Sequence, residues 1–222
     1  MINVDEKVVE EFGIEWKKFS SLTLSEPELK KAWNQYFDIF PFDGLEKDSI
    51  GFDMGCGSGR WAKFVVNQVG HLNCIEPSVH ALNVAKENLK DSKNISFYNA
   101  SVGDKTLLPS SQDFGYCLGV LHHVPDTLAG INSCSKLLKQ GAPFLIYLYY
   151  NFENKSQLIK VTWKISDLLR RIISKLPSKL KLILSELIAF FIYFPLARLS
   201  FILEKLNINT SNIPLSDYSN KK

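Results

Sequence analysis

The segment Asp53-Met54-Gly55-Cys56-Gly57-Ser58-Gly59 sets an acid two residues before a run of alternating glycines. Glycine is the residue for a turn where a side chain would strike a bound ligand or where φ must be positive. A helix starting just after such a turn offers free N–H groups to an anion or a polar ligand. Together these features suit a nucleotide-like ligand. Glu76 follows Gly59 by seventeen residues and precedes Pro77-Ser78. A carboxylate at the end of a neighbouring strand can accept hydrogen bonds from both hydroxyls of a ribose. A third group is His122-His123. An imidazole titrates near neutral pH, so either histidine suits a general base toward an oxygen or nitrogen nucleophile. The alternative for each is a loop histidine that only caps or hydrogen-bonds.

The spacing narrows the ligand. A dinucleotide fingerprint reads G-x-G-x-x-G. Here the third glycine comes one residue early, and Arg60 stands where that pattern wants glycine. This disfavours a nicotinamide-dependent oxidoreductase. No Gly-Lys-Ser/Thr follows, so a phosphate-binding P-loop is excluded. The cysteines Cys56, Cys74, Cys117 and Cys134 form no C-x-x-C pair, so neither zinc nor any other metal site is expected. Buried free thiols are the reading for all four.

These residues need a scaffold of alternating elements. Ile50–Met54, His71–Ile75, Ile95–Tyr98, Phe114–Leu118 and Pro143–Tyr150 read as strands. Helices are expected at Arg60–Val69, Val79–Leu89 and Thr127–Lys139, the last closed by Gly141. Apolar strands separated by helices imply an α/β fold, a parallel sheet covered on both faces. Upstream, Ser25 as N-cap, Pro27 in the first turn and Glu28 completing a capping box predict a helix running to about Phe40. Aromatic residues crowd this region: Trp16, Phe19, Trp33, Tyr36, Phe37, Phe40 and Phe42.

The D-x-G-x-G-x-G pattern resembles motif I of class I S-adenosylmethionine-dependent methyltransferases. Asp113 to Asp126, spanning a strand and its exit loop, looks like motif IV and its extension in the small-molecule branch, typified by ubiquinone/menaquinone-biosynthesis methyltransferases. Leu137-Leu138-Lys139-Gln140-Gly141-Ala142 resembles that branch's L-L-K-P-G-G turn, with Gln140 and Ala142 as departures. The resemblance covers residues 12–150, and the segment 151–208, with Tyr147-Leu148-Tyr149-Tyr150-Asn151, looks like a bacterial subfamily of the class with a helical insertion after the fifth strand. It implies a Rossmann-like three-layer sandwich with a mostly parallel sheet, and S-adenosylmethionine as cofactor. Gly55, Cys56, Gly57 and Gly59 would line its methionine part, with Asp53 facing the ammonium directly or through water. Glu76 and Pro77 would border the ribose. The family's usual Asp–Ala pair beside the adenine is Ser101 and Val102 here, with Asp104 a nearby substitute for the missing acid. Leu118 and Gly119 would border the sulfonium, with His122 and His123 close by. The aromatic cluster and Tyr147, Tyr149 and Tyr150 would offer faces to the cation or pack in the core. The reaction implied is methyl transfer to a small, lipid-like acceptor. The N/D-P-P-Y/F signature of enzymes that methylate nucleobases or glutamine is missing after the fourth strand.

The chain has 222 residues, 45% hydrophobic and 22% charged, with a formal net charge of +3. That charge is too small to point to nucleic acid. The acidic start lacks a secretory pattern, so a cytoplasmic location is expected. The division expected is a helical cap at 1–48, the cofactor-binding domain at 49–150, a helical insertion or lid at 151–208 and a flexible tail at 209–222. Residues 155–205 hold ten Lys/Arg against three Asp/Glu, and 182–203 approach a membrane span in length. Peripheral membrane contact, a lid and a packed insertion all fit this pattern. The resemblance also implies two closing antiparallel strands, and none reads convincingly between Asn151 and Lys222. A partner that completes the fold, a homo-oligomer, or a non-catalytic cofactor-binding module is the alternative this raises.

Overall fold

The computed structural model describes residues 3–19, 26–149 and 157–206. The expectations for Ser25, Tyr150, Asn151, the Trp16 and Phe19 side chains and the 209–222 tail lie outside the described residues. The chain divides into two compact units, Met1–Tyr150 and Asn151–Lys222.

In the first unit, five strands form one sheet: β1 (Ile50–Met54), β2 (His71–Ile75), β3 (Ile95–Tyr98), β4 (Phe114–Leu118) and β5 (Phe144–Tyr147), in the order β3-β2-β1-β4-β5. Every pairing among them is parallel, so no antiparallel pair occurs in this sheet. The helices are α1 (Glu6–Phe19), α2 (Glu26–Phe37), α3 (Ala62–Val65), α4 (Val79–Asn88) and α5 (Thr127–Leu137). Alternate strand residues divide between two cores, as the period of two requires. Leu72, Cys74, Phe114 and Tyr116 join Trp33 and Phe37 of α2, Val65 of α3 and Leu82 of α4 on one face. Phe52, Met54, Ile75 and Cys117 join Cys134 of α5 on the other. The strand order reverses between β1 and β4. In open α/β sheets, ligands bind beyond the carboxyl ends of the strands at such a switch point.

The first four strands fall where the sequence places them, and the fifth strand and the helices are shorter than expected. The helix expected at Arg60–Val69 is one α turn followed by a 3-10 turn at Val66–Gln68. α5 stops at Leu137, and Leu138 turns extended into the parallel bridge Gln112–Leu138. Gly141 (φ +82°) therefore sits in the following turn rather than closing the helix. α2 ends at Phe37. Strand β5 is limited to Phe144–Tyr147.

The second unit contains α6 (Gln157–Ile173), α7 (Ser178–Ile188), a π turn at Ala189–Tyr193 and α8 (Phe194–Lys205). No strand occurs among its described residues. The run Ile183–Leu203 is long and apolar enough to cross a membrane.

Candidate functional site

The carboxyl ends of the strands open into one cavity of about 300 Å³. The turn after β1 supplies Met54, Gly55, Cys56 and Gly57, and the end of β2 supplies Glu76 and Pro77. The loop after β3 contributes Ala100, Ser101 and Val102, and the exit from β4 contributes Leu118, Gly119 and Val120. Most of the residues singled out from sequence thus line one space.

The turn is held from both sides. Gly55 N and Cys56 N both donate to Ile75 O, at 2.8 and 3.1 Å. Gly55 has φ +78°, and a Cβ there would lie 2.4 Å from Val120 Cγ2. Gly119 also has a positive φ, +76°, and a Cβ there would project into open space. Gly59 lies outside the cavity lining. A Cβ on it would meet Leu89 Cδ1 at 2.6 Å, so this third glycine lets the turn pack on α4 instead of bordering a ligand.

Glu76 joins two loops through its carboxylate. Its Oε2 accepts from Gly57 N and its Oε1 from Ser78 N, both at 2.9 Å. Burial raises its pKa, and the Ser78 and Gly57 N–H groups counter part of that rise. Two carboxylate oxygens offer about four acceptor sites, so two bonds leave capacity for a ribose. Ser78 also caps α4, accepting from Ala81 N at 3.4 Å.

Asp53 lies beneath the turn, outside the lining, and is almost wholly buried. Burial pushes its carboxyl up to about 8; neighbouring Tyr116 opposes the rise and Glu76 adds to it. Neither Asp53 Oδ2 nor the Tyr116 hydroxyl has a hydrogen-bond partner among the described residues. A buried carboxylate oxygen without a donor costs stability unless a ligand or water supplies one.

At the far end, Ser101 N and Ser101 Oγ donate to Asp104 Oδ2, at 2.8 and 3.3 Å. Asp104 is not in the lining, so it positions Ser101 rather than replacing the missing acid. His123 lines the cavity and His122 does not. His122 stacks on Tyr149 at 3.9 Å between ring centroids, and neither of its ring nitrogens has a partner among the described residues. Burial lowers the pKa of both, with His123 adding to the effect on His122.

A continuous aromatic wall completes the space. Trp61 meets Tyr36 (5.2 Å), Tyr36 meets Tyr147 (5.1 Å), and Tyr147 meets Tyr149 (6.1 Å). Tyr149 approaches His123 (6.3 Å), which meets Phe12 (5.0 Å). Arg60 lies at the rim, its guanidinium 4.4 Å from the Trp61 ring centre. The other aromatics of the amino-terminal cluster divide: Trp33, Phe37 and Phe40 are buried core, and Tyr36 reaches the site. Residues that sequence reasoning missed are Arg60, Trp61 and the start of α1, where Asn3, Val4, Asp5, Val8, Val9 and Phe12 face the cavity. The spacing of Val4, Val8 and Phe12, four residues apart, is the signal that could have found the last group.

S-adenosylmethionine fits these groups: a glycine cradle, an acceptor carboxylate with spare capacity, and a buried Asp oxygen lacking a donor. The parallel β3-β2-β1-β4-β5 sheet, with the cavity at its switch point, is a Rossmann-like α/β fold. Residues 52–146 match a family model described as a methyltransferase domain. The chain is 31% identical over 120 residues to a ubiquinone biosynthesis O-methyltransferase of Nitrosomonas europaea, covering 53% of this chain and 50% of that protein. It is 30% identical over 111 residues to the protein of that name from Colwellia psychrerythraea, covering 49% and 45%. The chain thus spans about half the length of the curated relatives it matches. Among solved structures, a putative methyltransferase of Bacillus halodurans superposes with TM-score 0.51 at 14% identity, covering 60% of this chain and 56% of that one. A putative methyltransferase of Haloferax volcanii, solved in complex with its Trm112 activator, gives TM-score 0.51 at 17% identity, covering 68% and 66%. Both likenesses are in fold.

Proposed function

We propose that this chain transfers a methyl group from S-adenosylmethionine to a small molecule. The observation that carries the reading is the Glu76 carboxylate, set in the cavity wall and tied to the glycine turn at Gly57 N. Bound there, the cofactor supplies an electrophilic methyl group on a positively charged sulfur. The backbone at Gly55–Gly57 lies against its amino-acid end, and the unpartnered Asp53 oxygen takes up its ammonium, directly or through water. Glu76 accepts from the ribose hydroxyls, and Ser101 Oγ accepts from the adenine amine beside Val102. Leu118 and Gly119 border the sulfur. The aromatic wall excludes water and favours a cation, by roughly 0.5–2 kcal/mol for each well-placed ring. That wall suits an acceptor with an apolar, lipid-like body. His123 is the base that takes the proton from an oxygen or nitrogen nucleophile; His122, turned onto Tyr149, supports it. Around this chemistry we place a cytoplasmic location and a peripheral membrane contact through residues 155–205.

The test is calorimetric titration with S-adenosylmethionine and NAD, followed by transfer of labelled methyl into fractionated cell extract. S-adenosylmethionine binds, NAD does not, and label enters a low-mass fraction. Glu76→Gln weakens cofactor binding roughly ten- to hundredfold, the loss of one hydrogen bond to a charged group. NAD binding in place of S-adenosylmethionine, or an unchanged Glu76→Gln, defeats the assignment.

A further inference from the structure

The second unit carries a surface that the methyl-transfer chemistry does not use. On α6, Val161, Ile165, Leu168, Leu169 and Ile172 recur at the spacing of one helix face. Each is more than half exposed, from 53% at Val161 and Leu169 to 61% at Leu168. Five large apolar side chains in one unbroken stripe are more than scattered surface hydrophobics. A basic row, Lys160, Lys164 and Arg171, follows the same helical spacing about a quarter turn to one side of the stripe, and Lys175 lies just past the helix end. The one acid on this helix, Asp167, is engaged by Arg170 Nη2 at 2.6 Å and Arg171 Nε at 2.7 Å. Those arginines hold its carboxyl below the usual range, so it stays ionised and neutralises its own helix, not an incoming cation. Across residues 157–206 the sequence holds nine Lys/Arg against three Asp/Glu.

We infer that α6 lies in the plane of an anionic lipid leaflet, its Val161–Ile172 stripe in the acyl boundary and its flanking Lys160, Lys164 and Arg171 among the phosphates. This rests on the peripheral membrane contact proposed above and specifies its surface. An apolar stripe alone would suit a protein groove as well. The parallel basic row is the feature that selects anionic lipid, because juxtamembrane Lys and Arg are attracted to such surfaces individually and additively. The run Ile183–Leu203 adds Phe190, Phe191 and Ile192, each more than half exposed. It also carries Glu186 and Arg198, which are costly at mid-bilayer, so contact with the interface is favoured over crossing.

The experiment is co-sedimentation of the full chain with vesicles of phosphatidylcholine alone and of phosphatidylcholine with phosphatidylglycerol. Binding is expected to the mixed vesicles only, and high salt releases the protein. Lys160→Gln/Lys164→Gln weakens partitioning by about tenfold or more while leaving S-adenosylmethionine binding unchanged, since two cations near the surface are lost. Leu168→Ser/Ile172→Ser weakens it as well, with circular dichroism reporting whether the helix persists. Failure to bind either vesicle defeats the membrane contact itself. Equal binding to both compositions, or an unchanged double lysine variant, overturns the anionic specification. Retention through high salt and alkaline carbonate overturns the in-plane arrangement in favour of a span. None of these outcomes bears on the methyl-transfer reading, which the cofactor titration tests separately.

Discussion

Asp53 is a carboxylate buried where most aspartates are exposed. An aspartate in water titrates near 4, and burial here pushes the carboxyl up to about 8. Between those values the unfolded chain has released the proton and the folded chain still holds it. The folded state binds more protons in that window, so stability falls as pH rises from about 4 through about 8 and then levels. Asparagine has no such titration. Asp53→Asn is therefore expected to match the wild type near the acid end of the window and to exceed it above pH 8, by roughly a few kcal/mol. Thermal or urea unfolding across this pH range measures the difference; parallel curves for the two proteins would refute the raised, buried carboxyl. In the proposed site the same change weakens cofactor binding, because the bound ammonium loses a carboxyl that its charge would ionise. The residue types at the turn and at Glu76 were legible in the sequence, since both depend on local spacing. That Asp53 sits beneath the turn and Gly59 packs on α4 was not legible, because depth depends on the neighbouring strand and helix.

At the scale of elements, strand positions were readable and helix ends were not. A strand's extent follows its apolar alternation, and β1 to β4 lie on theirs. Helix ends depend on which backbone groups find another partner. Ser111 N and Gln112 N both donate to Leu137 O at the end of α5, which draws the chain into the sheet two residues before its apolar pattern ends. The unread element is α1. Asp5 Oδ1 caps it by accepting from Lys7 N and Val8 N at 3.1 and 3.2 Å. Just before it, Asn3 Nδ2 donates to Asp126 O at 2.7 Å and Asn3 Oδ1 accepts from Asp126 N at 2.9 Å. This two-pronged amide fixes the start of α1 to the start of α5, which places Val4, Val8 and Phe12 in the cavity wall. Asn3→Ala removes both bonds. It should cost about 1–2 kcal/mol in unfolding experiments and weaken S-adenosylmethionine binding several-fold, since each neutral bond contributes on the order of 0.5–1.5 kcal/mol. A loss of stability with unchanged cofactor affinity would show that α1 packs at the site without forming part of it.

At the scale of the molecule, the two units differ in how they bury their apolar residues. Both core clusters, all five strands and the cavity lie within Met1–Tyr150. Among the described residues of 157–206, only Asp167 and Ser200 are buried, and no large apolar side chain is. A helical segment without an apolar interior gains little from folding on itself, since most helix stability in proteins comes from packing an apolar face. The first unit should therefore stand alone. A chain ending at Tyr150 is expected to unfold cooperatively, within a few degrees of the full chain's first transition, and to bind S-adenosylmethionine with the same affinity within experimental error. The separate segment 151–222 should show weak helicity in water and gain helix on anionic vesicles, because the leaflet supplies the apolar partner it lacks. Calorimetry on the shortened chain and circular dichroism on the segment measure the two halves. If the shortened chain loses cofactor binding or cooperativity, the second unit contributes to the site, and a lid becomes the better account of its helices.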